Sequence, residues 1–266
     1  MTHENTTGAD TTGADMTGAD MAQAGRKVLV TGGGSGLGAD LARGFAAAGA
    51  EVIVSGRRPA PLEAVAAGHE RIRALCADVT DEAQVAALFD AAGPVDIVIA
   101  NAGAAQSAPF ARTTLADWNA MLAVNLTGAF LTLRAGLVQM SGWGRLIAVA
   151  STAGLKGYAY VAPYAAAKHG VVGLIRALAQ EVARSKVTAN ALCPGFLDTG
   201  MTARSAASIA EKTGMDARAA RAALAAQNPQ DRLIAPAEVT AAALWLCGPG
   251  SQGVNGQAIA ISGGAP

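Results

Sequence analysis

The chain has 266 residues, 52% hydrophobic and 15% charged, with 20 basic side chains against 20 acidic ones, which is typical of one soluble domain or at most two. A net charge of zero gives no general attraction to nucleic acid or to an anionic membrane surface. No uninterrupted apolar run reaches the length of about 18 residues that predicts a transmembrane helix, so we expect no membrane or nucleic-acid partner.

The N-terminal segment is of low complexity. Residues 6–20 read TTGAD, TTGAD and MTGAD and offer almost nothing to bury. We expect a disordered tail over residues 1–24 and a single domain over residues 25–266. The tail also lacks the basic and then apolar layout of a signal peptide, so we expect a cytoplasmic protein.

From residue 27 onward, short apolar runs alternate with amphipathic stretches. The apolar runs predict strands at 27–30, 52–55, 71–76, 95–100, 145–151, 187–193 and 257–262. Helical spacing is present at Leu37, Leu41 and Phe45 and in the segments 81–92, 115–140, 163–184 and 236–247. This alternation predicts right-handed βαβ units, and hence an α/β fold of the Rossmann type. We expect a doubly wound parallel sheet of about seven strands flanked by helices on both faces.

A glycine-rich loop follows the first predicted strand and reads Thr31-Gly32-Gly33-Gly34-Ser35-Gly36-Leu37-Gly38. Glycines permit a tight turn and let backbone N–H groups approach a phosphate, and the N-terminus of the following helix favours negative charge. The strand, loop and helix together predict a dinucleotide site in preference to an ordinary turn. The residues expected to contact the cofactor here are Thr31, Gly32, Gly34, Ser35, Gly36, Leu37 and Gly38.

The second predicted strand ends at Gly56-Arg57-Arg58, where NAD-binding folds commonly carry an acid for the adenosine ribose. No acid stands at this point of the sequence. A guanidinium pairs with a 2′-phosphate through two parallel hydrogen bonds, so Arg57, with Arg58 as a second candidate, favours NADP(H) over NAD(H). The alternative is that the two arginines merely begin a solvated helix.

Tyr164 and Lys168 lie four residues apart in YAAAK, which places both side chains on one face of the predicted helix 163–184. A neighbouring ammonium lowers the pKa of a phenol, so we expect Lys168 to activate Tyr164 as an acid–base catalyst. Ser151 ends a predicted strand, at the edge where open α/β sheets bind ligands, and its hydroxyl could bond a substrate carbonyl. Taken singly, these residues could equally be a core tyrosine, a solvated lysine and a loop-capping serine.

The same helix is apolar on nearly every face, which indicates either a subunit interface or a bland, alanine-rich surface. Metal and disulfide sites are not indicated. Cys76, Cys193 and Cys247 are widely spaced within apolar runs and predict reduced core thiols. His69 and His169 are a hundred residues apart, which predicts no zinc site.

These motifs occur together with Asn101-Ala102-Gly103, Asn125 and Pro194-Gly195 in one order along the chain. In that order and spacing the chain resembles the compact, single-domain branch of the short-chain dehydrogenase/reductase family, over roughly residues 25–264. Within the family it is similar to ketoreductases and to 3-hydroxyacyl or hydroxybutyrate dehydrogenases. Two departures, Ala100 where an Asn is frequent and Ser262 where an Asp is common, lie away from the proposed chemistry.

The resemblance implies a role for each matching residue. Tyr164 would exchange a proton with the carbonyl oxygen, Ser151 would orient and polarise that oxygen, and Lys168 would hold the nicotinamide ribose. Asn125 would anchor a water through which protons reach Lys168, and Asp78 would contact the adenine. The resemblance implies further cofactor contacts from Val79, Asn101, Ala102, Gly103, Pro194, Gly195 and Thr199, with no metal in the reaction.

The resemblance also implies a substrate pocket walled by the segments after Gly103, after Ser151 and after Gly195. The last segment continues into a predicted helical lid at about 203–229, which would close over a substrate. The cationic side chains of the lid could meet an acyl-carrier phosphate or a carboxylate, or could form a solvated face. They are Arg204, Lys212, Arg218 and Arg221.

Three hypotheses of function follow. The first is an NADP(H)-dependent reductase of a ketone, of the 3-oxoacyl type or another carbonyl compound, that forms a homotetramer or homodimer. The second is an NAD-dependent dehydrogenase of a secondary alcohol, such as a steroid, a sugar or a hydroxy acid. The third, from another class of protein, is a dinucleotide-sensing scaffold without catalysis.

Overall fold

Seven parallel strands form one sheet in the computed structural model, which describes residues 22–265. The strands are β1 (Lys27–Thr31), β2 (Glu51–Gly56), β3 (Ile72–Cys76), β4 (Ile97–Ala100), β5 (Gly144–Val149), β6 (Val187–Pro194) and β7 (Ala258–Ile261). Their order across the sheet is β3-β2-β1-β4-β5-β6-β7, and every neighbouring pair is parallel. The predicted fold class is confirmed.

Nine α-helices connect or flank these strands in the described part of the chain. They are α1 (Gly36–Ala47), α2 (Pro59–Ala66), α3 (Glu82–Ala92), α4 (Leu115–Leu122), α5 (Gly128–Gln139), α6 (Ala162–Val182), α7 (Gly200–Thr213), α8 (Ala217–Ala225) and α9 (Pro236–Cys247). The helix predicted over 115–140 is interrupted, because a π-helical turn at Ala123–Thr127 separates α4 from α5. The predicted lid consists of α7 and α8.

The side chains of the central strands alternate between two hydrophobic layers. In β1, Leu29 packs on the side of α3, α5 and α6, whereas Val28 and Val30 pack on the side of α1, α2 and α9. Both faces of these strands are therefore covered, which explains why their sequences are continuously apolar instead of alternating.

Two predictions about the periphery, the extent of the tail and the burial of Cys76, are corrected. Residues 1–21 of the predicted tail lie outside the described residues, but Gln23 is buried and its backbone N–H bonds the carbonyl of Ala48 at 2.8 Å, so residues 22–24 belong to the domain. Cys76 is exposed and is not a core thiol, because it ends the edge strand β3. Cys193 and Cys247 are buried as predicted.

The segment Leu115–Gln139 is long and apolar enough to cross a membrane by length and composition alone, with a mean hydropathy of 1.5. However, 44% of its most apolar window is buried inside the fold, and α5 contributes Ala129, Leu131 and Leu133 to the core. These contacts are those of a core helix.

The topology brings the carboxyl ends of β1, β4, β5 and β6 to one edge of the sheet. The chain leaves β1 toward β2 on one side and later returns to place β4 on the other side, so the connections diverge at this point. Such a divergence opens a crevice in which doubly wound folds bind ligands. The glycine loop, Asn101, Ser151 and Pro194 all follow or end these strands.

Candidate active site

The glycine loop joins β1 to α1 and can only be built from small residues. Gly36 has a φ of 53°, and a Cβ placed on it would point toward Thr199, 3.5 Å away. A Cβ on Gly38 would lie 2.2 Å from the carbonyl oxygen of Gly32. The loop therefore faces Thr199 across a narrow space that is free of side chains on the loop side.

The N-terminus of α1 opens onto this space. Ser35 is the N-cap residue and its hydroxyl makes no capping hydrogen bond, and the first turn of the helix carries no acidic residue. The first N–H groups of a helix need an acceptor, and the helix dipole favours an anion there. These features, read from the described residues, fit a pyrophosphate, as a nicotinamide dinucleotide requires.

A cavity of about 480 Å³ lies beside the loop. Gly34 and Ser35 line it on one side, Pro61 of α2 on another, and Thr199 closes it toward α7. Arg43 is the only cation among the lining residues of this cavity. The cavity thus adjoins the glycine loop, and Ser151, Tyr164 and Lys168 are not among the residues that line it.

Thr31 and Asn101 hold the ends of β1 and β4 together. The Thr31 hydroxyl accepts hydrogen bonds from the backbone N–H groups of Asn101 and Ala102, at 3.1 and 3.2 Å. The Asn101 side-chain amide donates to the carbonyl oxygen of Thr31 at 2.9 Å. Both side chains are thus engaged in supporting the crevice, which fixes the backbone of the neighbouring Gly32 and Ala102.

The arginines expected at the adenosine end are exposed at the end of β2. Arg58 is the N-cap residue of α2, so the alternative of a helix start is also realised. Within residues 22–265, neither Arg57 nor Arg58 forms an ion pair. Nearby, Asp78 accepts hydrogen bonds from the N–H and hydroxyl of Thr80, and Val79 is buried.

Ser151, Tyr164 and Lys168 converge at the carboxyl end of β5. Ser151 begins a 3₁₀ turn and its hydroxyl accepts a hydrogen bond from the N–H of Ala153 at 3.1 Å, so the loop-capping alternative is realised. Lys168 is only 4% exposed, and its ammonium donates to the carbonyl oxygen of Val149 at 2.8 Å. The ammonium nitrogen lies 5.6 Å from the centre of the Tyr164 ring.

The electrostatics of this group differ from the expectation. Burial raises the pKa of Tyr164 above its ordinary value, and the hydrogen bond with Ser151 opposes this only in part. Burial also lowers the pKa of Lys168 to about 8. The net direction for the pKa of Tyr164 is thus opposite to the lowering expected from Lys168, because burial is the largest cause, and the ammonium itself bonds a backbone carbonyl.

A phenol with a raised pKa stays protonated near neutral pH. In carbonyl reduction such a phenol acts as the acid, and in the reverse reaction, alcohol oxidation, the same group acts as the base.

Asn125 lies in the π-helical turn between α4 and α5 and is buried. Its amide nitrogen donates to the carbonyl oxygens of Ala104 and Met121, at 2.9 and 3.0 Å, and its oxygen accepts from the N–H of Ala104 at 3.3 Å. A Cβ on Gly103 would stand 2.8 Å from the Asn125 oxygen and 3.7 Å from the Lys168 nitrogen. A side chain at position 103 would therefore lie against both polar groups, and only glycine leaves the space beside them open.

The segment after β6 is held by a residue that the sequence did not indicate. Asn228 is 1% exposed, and its side chain accepts from the N–H of Phe196 and donates to its carbonyl, both at 3.0 Å. It also donates to the carbonyl of Arg232 at 2.7 Å. Asn228 thus fixes the chain next to Pro194 and Gly195, and only its position before a proline could have drawn attention to it.

The four cationic side chains of α7 and α8 differ in whether they form an ion pair. Arg221 forms an ion pair with Asp198 at 2.8 Å and thereby links α8 to the segment that precedes α7. The other three cations, Arg204, Lys212 and Arg218, are exposed and form no ion pair within residues 22–265. This is the pattern of a solvated helix face. In the same described range no cluster of metal-ligating side chains is present.

Comparisons with known proteins agree with this geometry. Residues 26–210 match the family model of short chain dehydrogenases. A protein of Streptomyces coelicolor provisionally named a ketoacyl reductase is 38% identical over 251 residues, covering 89% of this chain and 95% of its own. A D-beta-hydroxybutyrate dehydrogenase of Cupriavidus necator is 36% identical, covering 90% of this chain and 97% of its own.

Among solved structures, a single-residue variant of actinorhodin polyketide ketoreductase with NADPH superimposes with a TM-score of 0.84. It is 34% identical and the match covers 90% of this chain and 97% of that one. The family binds nicotinamide dinucleotides and transfers hydride with them. On the evidence of its sheet, its site and these relatives, the chain belongs to the short-chain dehydrogenase/reductase family and is an oxidoreductase.

Proposed function

We propose that the protein is an NADP(H)-dependent carbonyl reductase that acts on a ketone of the 3-oxoacyl type or on a related carbonyl compound. The observation that carries the proposal is the group of Ser151, Tyr164 and Lys168, which meet at the carboxyl end of β5 beside the crevice. The relatives named as ketoreductases support the direction and the substrate class.

Each residue of the group has a separate task in this reaction. The hydroxyls of Ser151 and Tyr164 hold the carbonyl oxygen, and Tyr164 gives it a proton as negative charge develops there. Lys168 supplies positive charge 5.6 Å from the centre of the Tyr164 ring, and Asn125 would anchor a water that returns the proton. The dinucleotide, when bound, supplies the hydride.

The preference for NADP(H) rests on Arg57 and Arg58. They are exposed at the end of β2 and are not engaged in ion pairs within the described residues, so a 2′-phosphate could take either guanidinium. The NADPH in the related ketoreductase structure is consistent with this. Arg57→Ala should weaken NADPH binding about tenfold more than NADH binding. Arg71→Ala is the control, because Arg71 directly precedes β3 and so lies at the other edge of the sheet from Arg57, which directly follows β2. It should change the binding of both nucleotides equally little.

The central test is turnover by a Tyr164→Phe variant. We expect it to lose ketone reduction by a factor of at least about 1,000, followed as nicotinamide absorbance, while the Kd of NADPH changes less than about threefold. Tyr160→Phe, which alters an exposed tyrosine in the same region, should retain activity. Substantial reduction by Tyr164→Phe would contradict the proposed chemistry, and absence of turnover in the unaltered protein would favour the dinucleotide-sensing scaffold.

The second candidate is an NAD-dependent secondary-alcohol dehydrogenase, which the similarity to a D-beta-hydroxybutyrate dehydrogenase favours. A panel of ketones and secondary alcohols against NADPH, NADH and their oxidised forms separates the candidates. The first predicts the highest kcat/KM for a ketone with NADPH. The second predicts it for a hydroxy acid with NAD.

We also propose that the protein forms a homodimer or homotetramer through the outer faces of α5 and α6. Val138 and Phe130 of α5 are 82% and 40% exposed, and Leu174 and Leu178 of α6 are only half-buried. Large apolar side chains in such numbers on neighbouring helices are typical of an interface between subunits. Light scattering should give a molar mass of at least twice that of one chain, and Val138→Glu should lower the molar mass toward that of the monomer. A monomeric parent protein would contradict this.

A further inference from the structure

We infer that Tyr158 is a specificity-determining residue, whose hydroxyl binds a second oxygen of the substrate. The substrates it selects are ketones that carry another carbonyl oxygen close to the reacting one, such as 3-oxo esters and thioesters. The inference rests on the proposed carbonyl reductase activity and assigns part of its selectivity to one side chain.

The position of the Tyr158 hydroxyl is fixed by a neighbour of the catalytic serine. Tyr158 is half-buried, and its oxygen lies 2.9 Å from the hydroxyl oxygen of Thr152, the residue directly after Ser151. Thr152 is only 2% exposed and sits in the short turn that Ser151 begins. A buried hydroxyl in a fixed turn gives the phenol a defined place near the reacting group.

The ring of Tyr158 is held from the other side of the pocket. It packs edge-on against Phe196, with ring centres 6.0 Å apart and an angle of 83° between the planes. Asn228 in turn bonds both backbone groups of Phe196. The two aromatic rings thus link the turn after β5 to the segment after β6, and they form a wall whose polar atom is the Tyr158 oxygen.

The two phenols are hydrogen-bonded to consecutive residues of one short turn. Tyr158 pairs with the hydroxyl of Thr152, and Tyr164 is hydrogen-bonded with Ser151, the residue directly before Thr152. A substrate held at Ser151 and Tyr164 therefore lies next to the residue that positions the Tyr158 hydroxyl.

The Thr152 pair leaves a proton for the substrate. Either oxygen of the pair could be the donor. When Thr152 donates, the phenol accepts and keeps its own O–H to donate to another acceptor. A carbonyl oxygen is an acceptor only, so a ketone with a second carbonyl satisfies this O–H, whereas a simple ketone leaves it to water.

The test compares two ketones of similar size in the full-length enzyme with saturating NADPH. Ethyl acetoacetate carries the second carbonyl oxygen, and 2-hexanone lacks it. The measured quantity is the ratio of their kcat/KM values. Tyr158→Phe removes the hydroxyl and keeps the ring against Phe196, and Tyr160→Phe removes a hydroxyl that makes no hydrogen bond with the described residues.

We expect Tyr158→Phe to lower this ratio about fivefold to tenfold, mainly through a higher KM for ethyl acetoacetate, because one hydrogen bond to the bound substrate is lost. Tyr160→Phe should leave the ratio within about twofold of the unaltered enzyme. An unchanged ratio in Tyr158→Phe, with both ketones still reduced, would overturn the inference and leave the proposed function standing. Failure of the unaltered enzyme to reduce either ketone would overturn the proposed function, and this inference with it.

Discussion

Replacement of Lys168 by methionine should change how the stability of the protein depends on pH. Burial lowers the pKa of Lys168 from 10.5 to about 8, so between these values the unfolded chain binds more protons than the folded one. Stability then rises with pH in that window. Between pH ~7 and ~9, linkage with these two pKa values gives the unaltered protein about 1 kcal/mol, which Lys168→Met cannot gain.

The assay is urea unfolding without nucleotide, followed by tryptophan fluorescence, at several pH values for both proteins. The difference in unfolding free energy between them isolates Lys168 from groups that titrate in both, such as the buried thiols. Lys212→Met, which removes an exposed lysine of α7, should parallel the unaltered protein. A difference between the unaltered protein and Lys168→Met that stays constant with pH would show that Lys168 has an ordinary pKa, and would refute the argument from burial.

Three further outcomes follow from the structure. Gly38→Ala should lower stability by about 2 kcal/mol and weaken dinucleotide binding at least tenfold, because its Cβ would meet a backbone carbonyl at 2.2 Å. Gly173→Ala, within α6, has room for its Cβ and should leave dinucleotide binding unchanged and raise stability by up to about 1 kcal/mol, because alanine favours a helix over glycine. Asn228→Ala should cost about 2 kcal/mol in urea unfolding and speed hydrogen exchange at the Phe196 amide, since it strands buried backbone groups; unchanged exchange there would contradict the bracing role. Only the exposed Cys76 should react quickly with a thiol reagent in the native protein, and all three cysteines in urea; rapid native reaction of more than one would show the others to be accessible.

The sheet was predictable because burial of both strand faces can be recognised from the sequence of each strand alone. Strands such as Ile97–Ala100, buried on both faces, need apolar residues at every position, and that pattern survives without any knowledge of neighbours. The place of Ser151 followed from the same logic, since parallel strands end at one edge. Tyr164 and Lys168 were paired by their four-residue spacing on one helix face, and the family resemblance joined them to Ser151.

What could not be predicted depends on neighbours distant in sequence. The pKa direction of Tyr164 is set by how deeply the fold buries it, which its spacing to Lys168 does not encode. The bracing by Asn228 depends on a chain reversal that brings it against Phe196. Helix α2 was not predicted, because its eight residues, with prolines in the first turn, are too few to show a helical periodicity.

The π-helical turn between α4 and α5 could not be predicted, because both helices are apolar and the helical periodicity of the sequence continues across it. A π-helical turn behaves as an α-helix into which one residue has been inserted. Removing that residue would restore regular α-helical bonding, but it would also rotate α5 by about 100° relative to α4. The buried face of α5, including Ala129 and Leu133, would then turn away from the sheet. The extra residue that displays Asn125 is therefore locked in by packing, and a deletion there cannot be tolerated locally, whatever its effect on catalysis.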